Sequence, residues 1–268
     1  MHFKKKLKDR KLTIGSWLSI ANPAVAEIMA HAGFEWLAVD MEHSSLSSDQ
    51  CQELIRVIDL CGVVPLVRVG ANDPLLIKQA MDAGAHGIIV PMVGSKADAQ
   101  RAVAAVHYPP RGNRGVGLSR AQGHGASFDE YKQWLKEKSV VIAQIEHING
   151  VEHLEEIIGV EGIDAVIVGP YDLSGSLGTP GDFDNKQMRG ALQRIQDITL
   201  NKGVSLGYHV VFPKVEVVKE MTSQGYNLIA FGVDFLFLGE SCREGLSQIH
   251  NLQVDRSKTR KEVKVPHG

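Results

Sequence analysis

The sequence predicts a single (β/α)8 TIM barrel. Eight short apolar segments alternate with amphipathic segments of helical length along most of the 268 residues, and this fold typically needs about 250 residues. The apolar segments are continuous rather than alternating, as expected for parallel strands buried on both faces. The main alternative, an open doubly wound sheet, needs a glycine-rich fingerprint after the first strand to bind a dinucleotide. The sequence there is IANPAVAE (20–27), so the barrel is favoured.

The strands are predicted from short runs of β-branched and apolar residues between glycine, proline or polar residues. They are, in order, Thr13–Ser19, Trp36–Asp40, Pro65–Val69, Gly87–Val90, Val140–Ile145, Ala165–Val168, Val204–His209 and Leu228–Phe231.

The helices between them are predicted from apolar residues at helical spacing, and Pro74 stands where a helix start tolerates proline. The predicted helices are Pro23–His31, Ser47–Leu60, a segment from Pro74, Lys96–Val106, Phe128–Lys136, Val151–Ile158, Met188–Asn201, Lys214–Gln224 and Gly239–Leu252.

The longest connection, YPPRGNRGVGLSRAQGHGAS (108–127), is predicted to be a loop inserted into the barrel. Long connections in compact domains are often functional, and we expect its glycines to lie at the catalytic rim near a small anionic ligand. The barrel is predicted to span 1–254, with a basic, flexible tail at 255–268.

Composition excludes several classes of protein. The net charge is −2, from 29 basic and 31 acidic residues, which excludes the overall basic field of a dedicated nucleic-acid binder. No segment has the length of an apolar membrane span. The basic N-terminus, MHFKKKLKDRK, precedes no apolar signal core and is expected to be solvated and frayed. Three widely spaced cysteines are typical of a reducing cytoplasm.

Polar residues follow the predicted strands at the end where barrel enzymes carry their active sites. They are Asp40, Glu42, His43, Arg68, Gln144, Glu146, His147, Asp172 and His209.

These positions leave alternatives open. Glu146 and Asp172 come from neighbouring strand ends and form either a hard oxygen site for Mg²⁺ or Mn²⁺ or rim charges paired with cations. His43 is either a general base or a residue that caps the next helix or hydrogen-bonds the loop. Arg68 either binds a substrate carboxylate or pairs with Glu146, Asp40 or Asp172.

Some chemistries are disfavoured. No predicted strand contains a lysine, which counts against a Schiff-base aldolase with its nucleophile inside the barrel. A phosphate-binding G-x-x-x-x-G-K-[ST] loop is absent, and GNRGVG (112–117) does not follow a strand. We therefore expect no organic cofactor.

Several segments together resemble one family, in the family's order and across nearly the whole barrel. The chain resembles the class II, metal-dependent pyruvate aldolases of the HpcH/HpaI type, which include 4-hydroxy-2-oxoheptanedioate aldolase and the 2-keto-3-deoxy sugar-acid aldolases. The matching segments are GFEWLAVDMEHSSLS (33–47), PLVRVGANDPLLIKQAMDAGAHGIIVPMV (65–93), YPPRGNRGVG (108–117), QIEHINGVEHLEEIIGVEGIDAVIVGPYDLSGSLG (144–178) and FGVD (231–234).

The resemblance implies a role for most of the polar rim. It makes Glu146 and Asp172 the ligands of one divalent ion, Mg²⁺ or Mn²⁺, with Co²⁺ also allowed. Arg68 would hold the pyruvyl group, and His43 would transfer protons, paired with Asp82.

The remaining implied residues surround the bound acid. Gln144 would lie near the keto acid, and Glu42 would hold a water beside the metal. The backbone around Gly169, Pro170, Tyr171 and Asp172 would meet the substrate carboxylate.

The implied reaction is reversible cleavage of a 4-hydroxy-2-oxo acid to pyruvate and an aldehyde through a pyruvate enolate, in a cytoplasmic homo-oligomer, commonly a hexamer. The partners are thus small molecules, without nucleic acid or membrane. An acyl-CoA lyase of the malyl- or citryl-CoA type and an inactive barrel scaffold are the alternatives. Met41, Tyr171 and the loop GYHVVFP (207–213) depart from the family pattern and leave the aldehyde open.

Overall fold

Eight parallel strands close into one barrel in sequential order, β1 to β8, in a computed structural model that describes residues 2–262, with side chains through Asn251. The predicted (β/α)8 barrel is confirmed. The strands are β1 (Thr13–Leu18), β2 (Trp36–Asp40), β3 (Val64–Arg68), β4 (Gly87–Val90), β5 (Val140–Ile145), β6 (Ala165–Val168), β7 (Ser205–Val210) and β8 (Leu228–Val233).

Helices surround the barrel, and several begin with a side-chain cap. Asn22 and Asp73 accept hydrogen bonds from the first-turn amides of helices that carry proline near their starts. The helices are α1 (Phe3–Lys8), α2 (Pro23–His31), α3 (Ser48–Leu60), α4 (Pro74–Asp82), α5 (Lys96–Val106), α6 (Phe128–Lys138), α7 (Ile148–Glu152), α8 (Leu154–Ile158), α9 (Pro170–Ser176), α10 (Lys186–Lys202), α11 (Val215–Ser223) and α12 (Asp234–Glu262).

Three helical predictions differ from the structure. The single helix predicted at Val151–Ile158 is two short helices, α7 and α8, that meet at His153. The short helix α9 was not predicted, because seven residues give little periodicity. The last helix begins at Asp234 rather than Gly239, and its backbone continues through Glu262. The predicted tail at 255–268 thus overlaps α12, and 263–268 lie outside the described residues.

The N-terminus is not a frayed end, as expected from its lysines, but a helix that closes the bottom of the barrel. Phe3 and Leu7 are buried and join the apolar cluster inside the barrel, where the Phe3 and Trp36 ring centroids lie 6.5 Å apart. Lys4 pairs with Asp164 at 2.9 Å. The expectation was wrong because the apolar pattern of this helix consists of only two residues, at positions 3 and 7. They share one helical face, but two residues are too few to predict a helix.

The 108–127 connection lies at the bottom of the barrel, and not at the catalytic rim as expected. It follows α5, whose last residue reaches the N-terminal end of the strands, and it precedes α6 and β5. The Arg114 guanidinium is buried against the rings of Tyr108 and Tyr131 and pairs with Asp82 at the end of α4. The glycines of this segment therefore form turns around a structural anchor.

Inward-facing side chains fill the barrel in layers, as alternate strands require. Trp36, Leu66, Ile142 and Ile167 belong to the apolar interior. Above them, toward the C-terminal ends of the strands, lies a layer from the odd-numbered strands: Trp17, Arg68, Gln144 and His209. This layer is the floor of the barrel mouth. Among the described residues, no helix has the combination of length and apolar sequence that would let it cross a bilayer.

Candidate active site

A cavity of about 300 Å³ occupies the C-terminal mouth of the barrel. It is the position at which (β/α)8 enzymes carry their active sites. Its lining includes His43, Arg68, Gln144, Asp172 and the Gly169–Tyr171 segment, all predicted from the sequence. The structure therefore brings most of the predicted site into one cavity.

Arg68 is fixed at the floor of the cavity. Its Nε and Nη2 atoms donate to the two carboxylate oxygens of Asp40 at 2.9 and 2.7 Å, and its Cζ atom lies 4.3 Å from the centre of a Trp17 ring. Burial by itself would raise the pKa of Asp40, but the hydrogen bonds and charge of Arg68 hold that pKa below its ordinary value. Of the pairings left open for Arg68, the structure shows the one with Asp40, and no described residue accepts a hydrogen bond from the other guanidinium N–H groups, which are available to a ligand.

Glu146 is held in a defined orientation at the end of β5. Its Oε1 atom accepts a hydrogen bond from the Met92 amide at 2.6 Å, and its Oε2 atom accepts one from the Gln144 side chain. A Cβ atom at residue 169 would lie 2.7 Å from Glu146 Oε2, so any residue larger than glycine there would displace the carboxylate. The carboxylate is thus oriented from three sides.

Three carboxylates face one another without enough cations between them. Burial, together with the charges of Glu42 and Asp172, raises the pKa of Glu146 to about 7. Burial also raises the pKa of Glu42 to about 7, helped by Asp40 and Asp172 and opposed by Arg68. Such a cluster of like charges is stabilised by a cation.

A hard divalent ion fits this donor set. Glu42 Oε2 is buried 3.4 Å from Arg68 Nε, but it has no hydrogen-bond partner among the described residues. Carboxylate oxygens are the ligands that Mg²⁺ and Mn²⁺ prefer. Within the described part of the chain, no three His, Cys, Asp or Glu residues are arranged to hold a metal by themselves. Two protein ligands, Glu146 and Asp172, would leave the remaining positions to water and substrate.

His43 lies at the entrance to the cavity with a half-exposed side chain. Its Nε2 atom is 3.8 Å from Glu42 Oε2, and its amide donates to Asp40 Oδ1 at 3.2 Å. The alternative that His43 caps the next helix is wrong, because Ser47 is the N-cap residue of α3. The imidazole is therefore available to a ligand.

Asp82 does not join the site within this chain, so the predicted pairing with His43 is not formed here. It ends α4, where its carboxylate pairs with Arg114 and its carbonyl oxygen accepts from the Ser119 hydroxyl at 2.9 Å. The physical reason is that barrel helices run opposite to the strands, so their last residues lie at the bottom.

Several features of the cavity were not predicted from the sequence. Trp17, Val233 and Phe235 line it, and the Met92 amide holds Glu146. Strand alternation could have identified Trp17, which shares the inward face of β1. The role of Met92 could not be predicted, because it depends on a backbone φ of 53° that a methionine in the sequence does not indicate.

Comparisons with known proteins agree with this geometry. The family model described as HpcH/HpaI aldolase/citrate lyase matches residues 13–239. A hydroxypyruvate/pyruvate aldolase from Paraburkholderia phytofirmans is 34% identical over 255 residues, covering 92% of this chain and 97% of the relative. A 2-keto-3-deoxy-L-rhamnonate aldolase from Escherichia coli is 31% identical over 250 residues, covering 91% of each.

A solved structure extends the likeness to three dimensions. An HpcH/HpaI aldolase/citrate lyase family protein from Burkholderia cenocepacia superimposes with a TM-score of 0.88 at 33% sequence identity. The match covers 92% of this chain and 98% of that protein.

Proposed function

The chain belongs to the HpcH/HpaI aldolase/citrate lyase family, and we propose that it is a divalent-metal-dependent pyruvate aldolase. It would reversibly cleave a 4-hydroxy-2-oxo acid to pyruvate and an aldehyde. The observation that carries the proposal is one cavity lined by the anchored guanidinium of Arg68 and the carboxylate of Asp172, with the buried Glu146 close enough for the charge of Asp172 to raise its pKa. Relatives named as pyruvate and 2-keto-3-deoxy acid aldolases support the same substrate class.

In the proposed mechanism a bound cation and the protein side chains have different roles. A divalent ion held by Glu146 and Asp172 would supply Lewis-acid polarisation of the 2-oxo acid. Arg68, with its free N–H groups, binds the same acid and stabilises negative charge on the oxygen of the developing enolate. Asp40 and Trp17 keep the guanidinium in position before substrate arrives.

Proton transfer falls to His43, the half-exposed base at the cavity entrance. In the cleavage direction His43 takes the proton of the 4-hydroxyl group and the C3–C4 bond breaks. The electron pair of that bond stays with C3 and forms the enolate of pyruvate. The aldehyde leaves, and a proton delivered to C3 completes pyruvate.

Of the backbone predicted to meet the carboxylate, Pro170 has no N–H, and the Gly169 amide already donates to Ile145. Only Tyr171 and Asp172 could contribute amides.

The alternatives fit the cavity less well. An acyl-CoA lyase needs cationic side chains for the phosphates of its carrier, whereas the cationic side chain lining this cavity, Arg68, is bound to Asp40. An inactive scaffold would not be expected to keep a guanidinium and three carboxylates oriented around an open cavity.

The proposal is tested without knowledge of the aldehyde. Wild-type protein in D₂O with Mg²⁺ or Mn²⁺ should exchange the methyl protons of pyruvate, as followed by NMR. EDTA should abolish the exchange, and added metal should restore it. Glu146→Gln should lose it, while Glu152→Gln, on the exposed face of α7, should retain it. Full exchange in chelator would contradict the metal mechanism.

The chain is also proposed to act as a homo-oligomer, with a hexamer as the expected state. Residues 235–249 of α12 expose an apolar stripe at intervals of three and four residues, made of Phe235, Leu238, Cys242, Leu246 and Ile249. Such a stripe is the sequence pattern of a helix that packs against another helix. A second copy of this chain is the proposed partner.

A further inference from the structure

His209 stands in the floor of the barrel mouth without an assigned role. It comes from β7, its ring centroid lies 5.3 Å from that of Trp17, and it lines the same cavity as Arg68 and Gln144. Its Nε2 atom is buried and has no hydrogen-bond partner among the described residues. A buried polar atom that faces a ligand cavity without a partner is costly unless a ligand supplies that partner.

The His209 ring is held neutral. Burial and the nearby charge of Arg68 lower the pKa of His209 to about 3, against smaller opposing effects of Asp40 and a hydrogen bond to the Gly232 carbonyl. The ring nitrogen that donates to Gly232 carries the proton, which leaves Nε2 as an acceptor. A neutral acceptor suits a hydroxyl group, and it offers no charge to a carboxylate.

The two sides of the cavity differ in chemistry. The side formed by β3, β5 and β6 carries Arg68, Gln144 and Asp172, which the proposed function assigns to the 2-oxo acid. The opposite side, at the ends of β7, β8 and β1, carries apolar Val211, Val233 and Phe235 beside the polar Ser19 and His209. The aldehyde half of the substrate would therefore extend over the side that contains His209.

We infer that His209 is a specificity-determining residue that accepts a hydrogen bond from a hydroxyl group on the aldehyde half of the substrate. The inference rests on the proposed aldolase function and deepens it, because it assigns hydroxyaldehydes as the preferred class of aldehyde. An aldehyde without that hydroxyl leaves Nε2 buried and unpaired, so the selectivity expected is about tenfold or more.

The test compares two aldehydes that differ by one hydroxyl group, glycolaldehyde and acetaldehyde, each with pyruvate. Wild-type protein should favour glycolaldehyde in kcat/KM, and His209→Phe should reduce that preference about tenfold. Phenylalanine keeps a ring against Trp17 but removes both nitrogens. Because the readout is a ratio, a general loss of activity in the variant cancels.

Two further variants complete the design. Tyr208→Phe is the matched control, since Tyr208 precedes His209 on β7 and packs outside the barrel against Tyr226, with ring centroids 5.6 Å apart; it should keep the wild-type preference. His209→Leu repeats the test should His209→Phe fail to fold, as judged by circular dichroism. An unchanged preference in a folded His209 variant overturns the inference.

The inference and the proposed function fail in different ways. Exchange of pyruvate methyl protons in the wild-type protein needs no aldehyde and reports the proposed function alone. Exchange together with an unaltered hydroxyl preference in His209→Phe would overturn only the role of His209. Absence of exchange in the wild-type protein with Mg²⁺ and Mn²⁺ would overturn both.

Discussion

Arg68 shows how a single residue links the stability of the barrel to its chemistry. Its guanidinium neutralises the buried carboxylate of Asp40 and also offers free N–H groups to the cavity. Removing one partner of a buried pair leaves the other charge uncompensated, which typically costs about 3–5 kcal/mol. The same side chain is thus a structural counter-ion and a proposed binding group.

We expect Arg68→Ala to lower kcat/KM about 10²–10³-fold, the usual loss when a group that stabilises an oxyanion is removed. The loss should be at least as large as that of His43→Ala. Arg68→Ala should also lower the melting temperature, since Asp40 stays buried and unpaired. Adding Asp40→Asn to Arg68→Ala should recover stability without activity, as measured by calorimetry and pyruvate exchange. A near-silent Arg68→Ala would remove Arg68 from the site.

Met92 contributes a backbone amide from a strained conformation. Its φ of 53° lies in the left-handed region, which costs a residue with a Cβ atom about 1–2 kcal/mol. We expect Met92→Gly to raise the free energy of unfolding by up to about 1 kcal/mol while the amide still orients Glu146. Urea unfolding measures the first effect and pyruvate exchange the second. A loss of stability would show that the exposed methionine side chain matters more than the strain.

The residue types of the rim were predictable, but their backbone contacts were not. Arg68, Gln144, Glu146 and Asp172 follow from strand alternation and from the rule that catalytic groups occupy strand ends. The Met92 amide could not be predicted, because any residue type carries one. The pairing of Asp82 with His43 came from resemblance alone and does not form within one chain.

At the scale of elements, α1 is a short helix that depends for its stability on its position at the bottom of the barrel. Leu7 is 1% exposed, and its carbonyl oxygen accepts a hydrogen bond from Ser205 on β7 at 2.7 Å. Six helical residues are too few to be stable alone. The barrel interior therefore stabilises α1, and α1 in turn covers the interior.

We expect Leu7→Ala to destabilise the protein by about 2–5 kcal/mol, as a fully buried leucine truncated to alanine typically does. Lys8→Ala, on the exposed side of the same helix, is the control and should change stability by less than about 0.5 kcal/mol. Both are measured by urea unfolding. Equal effects of the two changes would mean that the helix is not seated in the barrel.

The stripe on α12 makes a separate prediction about assembly. The double change Leu246→Glu and Ile249→Glu should reduce the molar mass measured by light scattering after size exclusion, because it places charges in the proposed contact. Ser247→Glu adds one such charge outside the stripe and should leave the mass unchanged. A monomeric wild-type protein would contradict the oligomer proposal.

The whole molecule should lose stability in mild acid, partly through His107. This residue is 3% exposed, and burial together with the charges of Arg111, Lys4 and Arg114 lowers its pKa to about 4. Below about pH 6.5 the unfolded chain binds a proton at this histidine that the folded chain does not, so stability falls as the pH decreases toward 4. Above that pH the contribution is fully present.

We expect the free energy of unfolding to fall less in His107→Gln than in wild type between pH 7.5 and pH 5, by about 2 kcal/mol. Urea unfolding at the two pH values measures the difference. His31→Gln, at an exposed position on α2, is the control and should keep the wild-type dependence. Identical pH dependence in His107→Gln and wild type would show that His107 is not buried as a neutral ring.

The overall architecture was predictable because it repeats. Eight alternations of strand and helix give eight independent signals, so an error in one helix, such as the break at His153, leaves the fold unchanged. The chain ends carry no repeat. The seating of α1, the full length of α12 and the place of the 108–127 segment depend on long-range packing, which periodicity does not report.

The position of α1 also has a consequence for biosynthesis. Leu7 of α1 contacts Ser205, which is 198 residues farther along the chain. Most of the barrel must therefore still be synthesised after α1 before the burial site of α1 exists. Until then Phe3 and Leu7 are exposed apolar groups on a nascent chain, flanked by Lys4, Lys5, Lys6 and Lys8, whose charges keep that chain soluble during the wait.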